Sequence, residues 1–185
     1  MSKSEIVSAK IRRWACLGLA LGLLTQQAGA GVRIEPPPNH CPDAAAMREQ
    51  VLQIMNAVRE HGTVCGKQPQ PAVTPLAWNP RLAAAAQEFA HALAERDTVS
   101  HEAVAGESLP QRLQRVGYRY SMAGENLAAG QDGVAETVSA WLASTAHCTN
   151  VMKPQFLELG LGCVVRPGTQ YGTYWVAHFG TEFLE

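Results

Sequence analysis

Apolar residues recur at helical spacing in several stretches of the chain. Val51, Ile54, Met55 and Val58 fall on one side of a helix that Asp43 can cap and Gly62 can end. Asn79 before Pro80 is a cap followed by a proline at the first helical position, where the missing N–H costs nothing. Leu82, Ala86, Phe89 and Leu93 then form the stripe of a second amphipathic helix. A short third helix is predicted from Ser108 to Val116 with Gly117 as its terminator, and a fourth from about Asp132, burying Val134, Val138, Trp141 and Leu142. Thr63 to Ala77 carries three prolines and reads as a loop.

After Pro154 the pattern changes. Leu157 to Val165 and Tyr171 to Phe179 are rich in β-branched and aromatic residues, and Pro167-Gly168 supplies a turn, so the chain should end in an antiparallel hairpin. Gly160 and Gly162 flank Leu161 there, where a missing side chain lets another backbone approach closely. Helices come first and strands last, without βαβ alternation, which predicts an α+β layered domain.

The first 30 residues stand outside this pattern. Lys10, Arg12 and Arg13 precede an uncharged apolar run from Trp14 to Leu24, and Ala28-Gly29-Ala30 follows as a small-residue cleavage site. The run is about half of the roughly 20 residues a membrane span needs, so residues 1–30 read as a signal peptide and no span is expected after cleavage. Residues 31–41, with Pro36-Pro37-Pro38, read as an extended leader, and 42–185 as the domain. Cleavage removes Lys3, Lys10, Arg12, Arg13 and Glu5, which leaves 11 basic residues of 15 and 15 acidic residues of 16. A mildly acidic chain lacks the basic excess of a phosphate-neutralising nucleic-acid binder. Secretion or residence in a periplasm is expected from the signal peptide.

Cleavage also removes Cys16 and leaves Cys41, Cys65, Cys148 and Cys163, an even number in an oxidising compartment, hence two disulfides. Three connectivities are open. Cys41 and Cys65 bracket the first helix and Cys148 and Cys163 bracket a turn, so these are the expected pairs. No Cys-x-x-Cys spacing suggests a zinc site.

Three groups remain as candidates for chemistry: Ser100-His101, Gly124-Glu125-Asn126 and Ser144-Thr145-Ala146-His147, each expected in a loop-like stretch next to a helix. They stand in a longer series that includes Leu76-Ala77-Trp78-Asn79-Pro80, Gly117-Tyr118, Gly124-Glu125-Asn126-Leu127-Ala128, Trp141-Leu142-Ala143-Ser144 and Glu158-Leu159-Gly160-Leu161-Gly162. With Tyr174-Trp175 and Phe179-Gly180, this series resembles the CAP superfamily of cysteine-rich secretory proteins, antigen 5 and pathogenesis-related 1 proteins, in its bacterial SCP-like form. The resemblance spans about Met47 to Gly180. It implies a three-layer α-β-α sandwich with a cleft lined by His101, Glu125 and His147. Ser144 stands where eukaryotic members carry a second glutamate, as in other bacterial members.

The residues admit more than one chemistry. His101, His147 and Glu125 can be drawn as a three-ligand set for zinc or another divalent metal, with water in the fourth place. Equally, Glu125 can accept from an imidazole N–H in a metal-free cluster, which is the favoured reading. Ser144 and His147, three residues apart, suggest a serine nucleophile, but no oxyanion-hole segment accompanies them, and Ser144 reads better as a helix cap. Asn126 is expected to bond backbone, and Trp141 and Trp175 to pack. His61 and His91 are expected at a helix end and on a solvent face, and His178 beside the sheet, outside the cleft positions of the family. The functional expectation is a non-enzymatic module that binds a lipid, glycan or peptide. A zinc-assisted or Ser/His cleft hydrolase acting on peptide or cell-envelope substrate is the alternative.

Overall fold

A computed structural model describes residues 40–102 and 106–183. Residues 1–30, read above as a signal peptide, and most of the segment read as an extended leader lie outside the described residues. Helix α1 (Ala44–His61) starts where the Asp43 side chain accepts from the Ala45 and Ala46 backbone, and ends at Gly62, whose φ is 75°. Helix α2 (Pro80–Arg96) is capped by Asn79, and α3 (Leu109–Arg115) begins at a reciprocal Ser108–Gln111 capping box. Helices α4 (Val134–Ala143) and α5 (Thr145–Val151) meet at Ser144. The strands are β1 (Thr63–Cys65), β2 (Gln68–Gln70), β3 (Ala77–Trp78), β4 (Tyr120–Ala129), β5 (Glu158–Val165) and β6 (Thr173–Glu182).

The main sheet has the order β3-β5-β6-β4, antiparallel except for the β3–β5 pair, and β1 and β2 form a separate small hairpin. Alternation along β5 and β6 divides their side chains between two cores. Leu159, Leu161, Cys163, Trp175, Ala177 and Phe179 face α1, α4 and α5. Val164, Tyr174 and Val176 face α2 with Phe89, Ala90 and Leu93. The result is the expected α-β-α sandwich with its C-terminal hairpin. The α2 layer lies close because Gly160 and Gly162 have no side chains: a Cβ on either would stand 2.0 Å from the Ala83 nitrogen or 2.4 Å from that of Gln87.

Two expectations are corrected. The stretch around Glu125 is not a loop but the ten-residue edge strand β4, hydrogen-bonded to β6 along its length. Its sequence, YSMAGENLAA, carries no β-branched residue and so lacks the usual strand signature. Part of the proline-rich stretch after α1 likewise forms β1 and β2.

The disulfides also cross the expected pairs: Cys41 joins Cys163 and Cys65 joins Cys148, with Cα–Cα distances of 5.8 and 5.4 Å. The reason is helix length. An unbroken helix of 18 residues holds its ends about 27 Å apart. Cys41 and Cys65 flank that helix, and the short segments outside it would have to fold back almost fully extended to bring them within the roughly 7 Å a disulfide allows. Cys148 lies within α5 and Cys163 on β5, in separate elements that pack against different neighbours.

Candidate functional site around Glu125

The site is built over edge strand β4, whose consecutive residues Glu125 and Asn126 serve opposite faces of the sheet. Glu125 stands opposite His178 of β6 in the β4–β6 register, and its side chain is only 4% exposed. One carboxylate oxygen, Oε1, accepts from His101 Nδ1 at 2.8 Å. The other, Oε2, accepts from Arg112 Nη2 at 2.6 Å and from His178 Nε2 at 2.9 Å. Arg112 is itself buried, donates through Nη1 to the Glu107 carbonyl, and lies 3.6 Å above the Phe89 ring.

Asn126 works on the other face. Its amide donates to the His147 carbonyl at 3.0 Å and accepts from Asn150 at 2.9 Å, while Asn150 also donates to the Glu125 carbonyl. These bonds fasten α5 to the sheet edge and set the position of His147. Asn126 thus bonds backbone as expected, although the backbone is that of α5. The Cys65–Cys148 disulfide ties the neighbouring residue of α5 to β1.

Burial pushes the Glu125 carboxyl up, but hydrogen bonds from His101 and His178, with the charges of His178 and Arg112, overcome it and hold the group at about 2. The carboxyl is therefore ionised at every ordinary pH. The hydrogen bond to Glu125 raises His101. Burial, followed by the charge of His101, lowers His147. Burial lowers His178 despite its bond to Glu125. His101 is the exposed member, with 62% of its side chain open to solvent, whereas that of His178 is fully buried.

A concavity of about 450 Å³ opens beside His101, bounded by Glu102, Gly106, Glu107, Ser108 and Leu109. Of the three residues expected to line the cleft, it touches His101. His147 is half-buried, and Glu125 is buried behind His101, to which it is hydrogen-bonded.

A profile of the Cysteine-rich secretory protein family, CAP, matches residues 52–179 of this chain. The chain belongs to this family. An uncharacterised protein of Bacillus subtilis, YkwD, is 26% identical over 135 residues, which are 73% of this chain and 47% of that one. The CAP chain described here thus spans about half the length of this curated relative. Among solved structures, an extracellular SCP-domain protein of Bacillus anthracis aligns at 24% identity with a TM-score of 0.61, over 75% of this chain and 41% of that one. An outer surface protein of Borrelia burgdorferi aligns at 19% identity with a TM-score of 0.59, over 75% and 92% of the two chains. These likenesses establish the sandwich fold.

The three-ligand metal set drawn from the sequence does not fit this CAP site. Both oxygens of Glu125 are committed to three protein donors, one of them an arginine. Among the described residues, no group of three or more His, Cys, Asp and Glu side chains is placed to hold a metal ion. The serine nucleophile fares no better. Ser144 takes the N-cap place of α5 through its backbone, its carbonyl accepting from Cys148 at 2.8 Å, while its hydroxyl makes no capping bond. No Ser144–His147 hydrogen bond occurs among the described residues.

Two members of the site escaped the sequence reading. His178 was expected beside the sheet; its register opposite Glu125 puts it under the cleft instead. Arg112 carried a readable signal, since it occupies an apolar-stripe position of α3 together with Leu109, Leu113 and Val116. A charged residue at such a position needs a buried partner. Two further histidines follow expectation: His61 bonds the Ala57 carbonyl at the end of α1, and His91 is exposed on α2.

Proposed function

We propose that this protein is an exported, non-enzymatic binding module in which His101 and His147 present a polar surface to a glycan or peptide ligand. One observation carries the reading: the Glu125 carboxylate has both oxygens occupied by His101, Arg112 and His178. It is therefore neither a free base nor a free ligand for a metal, and the imidazole above it is what a ligand meets. The Ser144 hydroxyl, without a base bonded to it, adds no nucleophile. The side chains of Glu102, Glu107 and Ser108 on the rim offer hydrogen-bond partners to a hydroxyl- or amide-bearing ligand.

Export is supported by the 1–30 leader, by two disulfides that need an oxidising compartment, and by the extracellular and outer-surface descriptions of the B. anthracis and B. burgdorferi proteins. Among the described residues no helix is long and apolar enough to cross a membrane.

The test is a binding screen of the purified protein against glycan, peptide and lipid panels, repeated with His101→Ala and His147→Ala. Binding of a glycan or peptide that both variants weaken supports the reading. Turnover of a bound peptide or envelope fragment that Ser144→Ala abolishes without unfolding would replace it with the hydrolase.

A further inference from the structure

We propose that Arg112 and His178 are positioning residues of this site: bound to the same Glu125 oxygen from beneath, they keep the carboxylate a pure acceptor. His101 is thereby held with its proton on Nδ1 and with Nε2 as an acceptor toward the cleft.

The direction of each proton follows from the donor inventory. A guanidinium cannot give up its charge in a protein, and an ionised carboxylate can only accept. With Arg112 at 2.6 Å, the ring nitrogens that face Glu125 must each carry the hydrogen they share with it. His178 therefore donates from Nε2, and its buried Nδ1 closes no hydrogen bond of normal geometry. His101 donates from Nδ1 to the other oxygen. The second nitrogen of His101 is then the lone pair that a neutral ring offers to a ligand N–H or O–H.

The charged and titratable groups around His101 are Glu125 on β4, Arg112 on α3, His178 on β6, His147 on α5 and, along the same concavity, Glu102 and Glu107. Arg112 is the one cation among them at every working pH. It acts on His101 in two opposed ways. As a nearby positive charge it disfavours protonation of the ring; by keeping Glu125 ionised it favours it. Burial alone drives the Glu125 carboxyl toward its neutral form, which would donate to His101 and send the ring proton to Nε2.

This opposition gives a test by sign. The inference deepens the binding reading, but the experiment uses no ligand, so either can fail alone. Histidine-labelled protein is followed by nitrogen-15 NMR through a pH titration. In the wild type, His101 above its midpoint should show a protonated Nδ1 and an unprotonated Nε2; the reverse tautomer overturns the proposal without any variant. Arg112→Met should lower the His101 midpoint by about one pH unit and move the proton to Nε2. A raised midpoint, or an unchanged tautomer in folded protein, would mean that Arg112 is only a nearby charge and would sink the idea. Arg112→Lys, which keeps a cation there, should restore the wild-type tautomer. His178→Leu removes one donor from the same oxygen and should move both readouts the same way; no movement would remove His178 from the proposal.

Discussion

Glu125 and His178 stand opposite each other across the β4–β6 ladder, and a 2.9 Å hydrogen bond joins their side chains beneath the cleft. The sheet register, not a loop, therefore decides how the acidic residue of the Gly-Glu-Asn motif is held. Arg112 closes the arrangement from α3 with its charge fully buried, which makes the cluster sensitive to the loss of any one member.

Glu125→Ala should destabilise the protein by about 3–5 kcal/mol, because it leaves the Arg112 cation buried without its counter-charge. Urea denaturation of variant and wild type checks this. A loss below about 1 kcal/mol would show that water reaches Arg112 and that the pair is not a structural unit.

Stability should fall with acid in two stages. His178 is depressed below its ordinary 6.5, so the unfolded chain takes up a proton there first and stability drops as pH falls below about 6.5. Glu125 is held at about 2 against an ordinary 4.5; its contribution, about 3 kcal/mol, is present above 4.5 and lost as pH falls toward 2. His101, raised and largely exposed, has the opposite sign and a small weight. Thermal melts from pH 8 to pH 3 measure the profile, and His178→Gln should weaken its upper stage, which His147 shares, and shrink the lower one by changing a donor to Glu125.

Non-reducing peptide mapping should recover Cys41 with Cys163 and Cys65 with Cys148. Each bridge closes a long loop, 122 and 83 residues in sequence separation. Loop entropy then assigns each on the order of 4–5 kcal/mol as an upper figure. Replacing Cys65 and Cys148 with serine should in addition broaden the His147 resonances, since α5 would keep only its Asn126 and Asn150 bonds to the sheet.

Gly160→Ala should cost at least about 3 kcal/mol, because the new methyl group meets the α2 backbone, which cannot swing aside as a flexible side chain does. Gly133→Ser is the control: its φ of 172° is ordinary extended backbone and nothing lies within 4 Å of an added Cβ. Equal melting losses for the two would mean that α2 does not pack on β5 as closely as described.

Helices were legible where the pattern was strong and the ends were marked. Asp43, Asn79, Ser108, Gly62 and Gly117 all occupy the terminus positions that their chemistry suggests. Strand β4 was not legible, because its small residues are suited to close neighbours and not to intrinsic strand preference: a Cβ on Gly124 would stand 2.5 Å from the Phe156 ring. Arg59 shows the same limit. It continues the buried stripe of Met47, Val51 and Met55, and its guanidinium satisfies the carbonyls of Thr74, Val151, Lys153 and Phe156, none of them near it in sequence.

The amino-acid sequence by itself determined the order of the main helices, the C-terminal hairpin and the family, and it singled out His101, Glu125 and His147 as candidates. These are properties of local pattern and short motif. Only the tertiary structure decided which cysteines meet and that Arg112 and His178 share one oxygen of Glu125 while His101 takes the other. The physical reason is that pairing of this kind depends on the register of β4 against β6 and on the packing of α3 over it, which bring together residues 13 and 53 positions from Glu125.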